Sequence, residues 1–197
     1  MTIDSRRTAV LGLHWQVNVI RPEGFFGGML AEPVARSGVV KRAAAFHDDA
    51  RAAGLPIILT RFVIPMGEGQ LVRNTGFMAA VADAQGSFRP NAPGSQLIDE
   101  MSGDLVVDNQ KLSGLAGNNL LAWLVERDID TLLITGVATN LTVEQTARAA
   151  TDLGLTVHPI SDCAAAATEE IHAASLANLD LTTAGRLSAS DALRLLG

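Results

Sequence analysis

Three residues able to move protons or attack a carbonyl, His14, Lys111 and Thr142, each follow an aliphatic run at the point where the chain turns polar. His14 ends TAVLGLH, Lys111 sits in DNQKLSG after DLVVD, and Thr142 stands in GVATNLTVEQTA after DTLLITGV. An imidazole exchanges protons near neutral pH, an ammonium stabilises developing negative charge, and a hydroxyl attacks only when a base takes its proton. Threonine is a poor nucleophile because its β-branched alcohol is crowded and far less acidic than a thiol. The expected division of labour gives proton transfer to His14 or Lys111 and a hydrogen-bonding role to Thr142. Singly, each also has a plainer reading: His14 as a satisfied strand-end histidine, Lys111 as a solvated loop cation, and the helix start near Thr142 as one simply capped by Asn140 or Thr139.

The elements that must position them are legible as runs. TAVLGL (8–13), LPIILTRF (55–62), DLVVD (104–108), DTLLITGV (130–137) and LTVHPI (155–160) are short, aliphatic and bounded by Gly, Pro, Asp or Asn, the pattern of strands covered on both faces. Ala-rich stretches with helical spacing separate them at 34–53, 117–128, 140–153 and 168–178. This alternation predicts a single-domain, three-layer α/β/α sandwich around a mainly parallel sheet, with its crevice at the carboxyl ends of the strands. The helix start at Thr142 would add unpaired N–H groups able to stabilise an oxyanion. Residues 63–96 are rich in Gly, Pro, Asn and Ser and too long for a plain connection, so they are expected to cover a pocket or a subunit contact.

Composition narrows the partners. The 197 residues carry a net charge of −6 and no run of Lys or Arg, which argues against nucleic acid and an anionic membrane surface and leaves small molecules or protein surfaces, with a small-molecule substrate expected. Residues 1–13 contain Arg6 and Arg7 before too short an apolar run for a signal peptide or a membrane span, so a cytoplasmic protein is expected. Cys163 is the single cysteine, excluding an internal disulfide and any cysteine cluster for zinc; it reads as a small buried hydrophobe. GFFGG (24–28) and GLAGNN (114–119) do not form a dinucleotide-binding fingerprint, and no cofactor is expected. His47, His158 and His172 fall on helical or strand stretches away from the crevice.

Four segments, TAVLGLHWQVNV, DLVVDNQKLSGLAGNNLLAWL, DTLLITGVATNLTVEQTARAATDLGLTVHPISDCAAA and EEIHAASLANLDLTTAGRLSASDAL, resemble the isochorismatase-like hydrolase superfamily in the right order over nearly the whole chain. The resemblance implies an Asp after the first strand, a Lys after the third, and in the amidohydrolase branches a Cys at the helix start, with a cis peptide that would fall between Val137 and Ala138. Here Lys111 and Gln16 match, His14 stands at the acidic position and Thr142 at the nucleophile position, a degenerate triad. TRFVIP carries no Asp or His for the nicotinamidase metal, so no metal site is expected.

Replacing a carboxylate by an imidazole beside an ammonium predicts a net positive crevice and a small, anionic or cyclic metabolite handled by acid/base chemistry without a cysteine nucleophile. The alternative is an inactive relative that binds small molecules or serves as a scaffold. Trp15, Gln16, Asn18, Phe26, Phe62, Val137 and Ala138 are the expected substrate contacts, and Phe25 and Phe77 could add to an aromatic wall. Apolar residues in 63–96, including Met66, Leu71, Val72, Phe77 and Met78, together with the habit of such relatives, predict a homodimer or larger homo-oligomer.

Overall fold

The structure, a computed structural model, describes residues 2–197. Five parallel strands form one sheet, β1 Thr8–Leu13, β2 Ile57–Phe62, β3 Leu105–Asn109, β4 Thr131–Val137 and β5 Thr156–Ala165, in the order β3-β2-β1-β4-β5. Among the described residues the eight α-helices are α1 Val17–Ile20, α2 Gly27–Ser37, α3 Val39–Ala52, α4 Gly76–Asp83, α5 Leu120–Val125, α6 Glu144–Asp152, α7 Glu169–Thr182 and α8 Ala189–Leu195. The predicted α/β/α sandwich is what forms.

Strand alternation sorts the core into two layers. Val10, Ile57, Leu59, Leu133 and Ile160 face Val34 of α2, Val39 and Phe46 of α3 and Ala192 of α8. Ala9, Leu11, Leu13, Ile58, Leu132, Ile134 and Val157 face Leu120 and Leu124 of α5, Ala147 and Ala150 of α6 and Leu179 of α7. Each such Leu, Ile or Val contributes about 1.5–3 kcal/mol by leaving water, which is why the sheet accepts residues of one chemical kind on both faces.

Two glycines let this sheet pack tightly. A Cβ on Gly12 would stand 2.5 Å from Leu59, 3.1 Å from the Trp15 ring and 3.2 Å from the His47 ring, so the bare position makes room for an indole and an imidazole under the sheet. Gly136 (φ +144°) lies against the Leu13 carbonyl, where a Cβ would approach to 2.5 Å.

Several boundaries differ from the sequence reading, β3 for one running to Asn109 rather than 108. The helical stretch 34–53 is two helices, because Gly38 in the left-handed region (φ 66°) closes α2 and opens α3. β5 runs to Ala165, with a register shift where Ile134 pairs Pro159 but Gly136 pairs Ala164, so Cys163 lies within the strand rather than after it. The 63–96 segment folds over the carboxyl end of β2 as α4 and two short 3-10 turns, Gln85–Phe88 and Pro93–Ser95, burying Met78, Val81 and Phe88 against Phe62 and Ile64. No helix is long and apolar enough to cross a membrane among the described residues.

Candidate functional site

The strand order reverses between β1 and β4, and the residues at and just beyond their carboxyl ends, His14 and Val137–Ala138, border the resulting crevice. His14 is buried and its backbone takes the left-handed conformation (φ 55°), while its N–H donates to the Thr60 carbonyl at 3.3 Å. The peptide between Val137 and Ala138 is cis, as the resemblance implies, and a single π-helical turn, Thr139–Val143, leads into α6.

The residue that β3 presents to His14 is Asn109, not Lys111. The His14 Nε2 atom lies 3.4 Å from Asn109 Oδ1. Asn109 Nδ2 donates to the carbonyls of Lys111 (3.0 Å) and Ser113 (2.9 Å), and only an NH2 group can satisfy two carbonyls. The amide oxygen therefore faces the imidazole, Nε2 must carry the proton, and Nδ1 is left as the acceptor. Burial pushes the His14 pKa down to about 4, against a smaller upward pull from the Asn109 hydrogen bond, so the ring is neutral at pH 7.

Lys111 lies outside the crevice, contrary to expectation. Its Nζ donates to the Gln70 carbonyl at 2.6 Å, and its neighbour Gln110 accepts from the Gln70 N–H at 2.7 Å and donates to the Glu68 carbonyl at 2.6 Å. Both residues latch the 63–96 segment onto the loop after β3. The physical reason is that β3 stops at Asn109 and the chain bends through 110–113, so the alternation that would keep residues 109 and 111 on one side is broken and Lys111 turns toward Gln70.

Thr142 does reach the crevice. Its hydroxyl donates to the Leu112 carbonyl at 2.7 Å, while Thr146 donates to the Thr142 carbonyl at 2.6 Å and accepts from the Gly114 N–H at 2.9 Å. The hydroxyl's proton is held by a carbonyl, which cannot act as a base. The N–H groups of Leu141 (3.2 Å) and Val143 (3.3 Å) turn inward to the Ala138 carbonyl, so these two are not free to meet an oxyanion.

Around His14 and Thr142 is a cavity of about 40 Å3, its remaining wall apolar: Val19, Phe26, Met29, Leu30, Phe77, Leu112, Val137, Ala138 and Leu141. No charged side chain lines it. The expected positive crevice is thus replaced by a neutral one, because the cation faces the 63–96 segment and the imidazole is uncharged.

Of the expected substrate contacts, Phe26, Val137 and Ala138 line this cavity. Trp15, Gln16, Asn18 and Phe62 do not. The Trp15 indole enters the core and donates to Thr135 Oγ1 at 3.3 Å, where His47 Nε2 also bonds at 2.9 Å. Gln16 accepts from the Phe62 N–H (2.7 Å) and donates to the Phe62 (3.2 Å) and Ser95 (2.9 Å) carbonyls. Asn18 clips Ser87 O (2.8 Å) to Phe25 N (3.2 Å), and Phe62 stands edge-on to His14 with centroids 6.2 Å apart. Gln16 and Asn18 thereby tie the chain after β1 to β2 and to the 63–96 segment. Phe25 packs edge-on against Phe26, and Phe77 stacks on it.

Cys163 is fully buried, and that burial raises its thiol to about 12, far from a reactive thiolate. His172 bonds Thr139 Oγ1 through Nδ1 at 2.8 Å, outside the cavity. Among the described residues no three His, Cys, Asp or Glu side chains gather as metal ligands.

An isochorismatase domain profile matches residues 8–191. The chain belongs to the isochorismatase family. It is 26% identical over 175 residues to the isochorismatase family protein YecD of Escherichia coli O157:H7, spanning 87% of each chain. Among solved structures it resembles a cysteine hydrolase from Pseudomonas syringae pv. phaseolicola 1448A, with a TM-score of 0.87, 22% identity and coverage of 99% of this chain and 94% of that one. The pyrazinamidase/nicotinamidase of Streptococcus mutans UA159 follows the same fold with a TM-score of 0.70, 19% identity and coverage of 91% and 99%.

Proposed function

We propose that this protein is an isochorismatase-family enzyme that works without a cysteine nucleophile, His14 exchanging a proton with a small cyclic substrate held against Phe26. The observation that carries the reading is the Asn109 to His14 contact, which fixes Nε2–H and leaves Nδ1 as a proton acceptor on a ring that lines the cavity. His14 takes the substrate's proton at Nδ1; the imidazolium keeps Nε2–H on Asn109 Oδ1 and returns the Nδ1 proton to product or water. Thr142 holds the α6 turn in place and offers an oxygen lone pair, without attacking.

The neutral ring is ready above pH 4, though a base with so low a pKa has only modest driving force. A second reading, a relative that binds a small molecule without turning it over, is favoured by the Thr142 hydroxyl bound to Leu112 O and by the absence of ionic groups in the cavity wall.

Turnover of cyclic vinyl ethers, amides and esters, followed by NMR, tests the choice. His14→Asn should remove turnover at least 100-fold with a nearly unchanged thermal midpoint, and Thr142→Ala should retain it within a few-fold. A wild-type protein that binds ligands and turns none over establishes the second reading.

A further inference from the structure

As it stands the cavity, which opens to solvent, encloses too little space to bury a ring. Its volume of about 40 Å3 holds roughly three water molecules, whereas a pocket that takes benzene is about 150 Å3. One of its walls is replaceable. Phe26 and Phe77 are stacked, centroids 5.5 Å apart and planes 9° apart. Phe26 is held from its other sides by Phe25 (4.8 Å, 87°) and Phe88 (6.1 Å, 55°). Phe77 is 36% exposed, and α4 is anchored without it, by buried Met78, Val81 and Ala82 and by the Thr75 cap on the Met78 N–H.

The polar groups on the wall select what enters. Thr142 has given its proton to Leu112 O, and His14 has given Nε2–H to Asn109, so their remaining atoms, Oγ1 and Nδ1, are both acceptors. A ligand that brings an O–H or N–H is complementary to them. A carboxylate brings only acceptors, meets no cation, and would be desolvated without compensation.

We propose that the site admits a flat, uncharged ring bearing one hydrogen-bond donor, which takes the place of Phe77 on the face of Phe26 and donates to His14 Nδ1. The inference rests on the functional reading above for the location of the site and the tautomer of His14, and it excludes the anionic metabolites that a positive crevice would have drawn.

Phenol, cyclohexanol and benzoate at pH 7 test it, by calorimetry and by NMR of the His14 ring in the wild type and in Phe77→Ala. Phenol is expected to bind saturably and to shift the His14 resonances, with cyclohexanol and benzoate at least tenfold weaker. Phe77→Ala removes the stack that phenol must displace and should tighten phenol about two- to tenfold. Benzoate or cyclohexanol binding as well as phenol, phenol leaving His14 unperturbed, or phenol no tighter in Phe77→Ala each overturns the proposal. Because the readout is binding, phenol bound by a protein without turnover leaves this inference standing and removes the catalytic one; turnover of anionic substrates without phenol binding does the reverse.

Discussion

Asn109 turns its carbonyl, not its NH2, toward His14, across 3.4 Å from the end of β3 to the end of β1. That orientation makes position 109 the control of the imidazole's charge. Asn109→Asp would set a carboxylate against Nε2–H and should raise the His14 pKa from about 4 by one to three units. The apolar Asn109→Leu should leave it depressed. NMR titration of the His14 Cε1 proton measures both; an unchanged pKa in Asn109→Asp would show that the contact does not govern the ring.

Acid should destabilise the protein earlier than its surface carboxylates require. Burial holds both His14 and His47 at about 4, below the 6.5 of the unfolded chain. As pH falls from about 6.5 to 4, the unfolded state takes up protons that the folded state refuses, so stability declines across that window, by up to about 3 kcal/mol per histidine at its lower end. Urea unfolding at pH 7.5, 6, 5 and 4 should show the decline. His14→Asn should reduce its slope by about one proton.

The hydroxyl of Thr135 receives the Trp15 indole N–H and bonds His47 Nε2 within the core. Thr135→Val keeps the shape and orphans both rings, which should cost about 1–3 kcal/mol, seen as a lower urea midpoint at unchanged m. A neutral outcome would mean that the two rings find other partners.

Thr142→Ala loses one neutral hydrogen bond and should cost about 0.5–1.5 kcal/mol. Thr142→Cys places a thiol at the family's nucleophile position beside a neutral imidazole and no ammonium. Iodoacetamide should therefore modify it no faster than an ordinary thiol, and buried Cys163 more slowly still. Rapid alkylation of Thr142→Cys at pH 7 would contradict the neutral cavity.

The strands were readable because a sheet covered on both faces needs uninterrupted aliphatic runs, and TAVLGL and DTLLITGV are nearly that and nothing else. The cis bond and the placement of His14 and Thr142 followed from matching the segments around them. Asn109 was hidden because charge draws attention: Lys111 offered an obvious function, while the amide one step past DLVVD required knowing that β3 extends to 109 and which way its last side chain points. Trp15, Gln16 and Asn18 looked like a polar lining beside His14, yet their partners Thr135, Ser95 and Ser87 lie far along the chain and no local pattern announces them. Met29 and Leu141 complete the wall from two separate elements, a meeting that periodicity cannot show, whereas Phe77, an aromatic candidate from the sequence, does line it.

His14 alone ends β1 with a positive φ, a conformation that a side chain adopts at a cost of about 1–2 kcal/mol. That single twist redirects the chain from Leu13, which joins the layer under α5 and α6, to Trp15, which joins the layer under α3, and it leaves the imidazole at the seam. Glycine would relax the backbone there but would remove the ring, its contact with Asn109 and its share of the cavity wall, so the backbone strain and the placed imidazole come together.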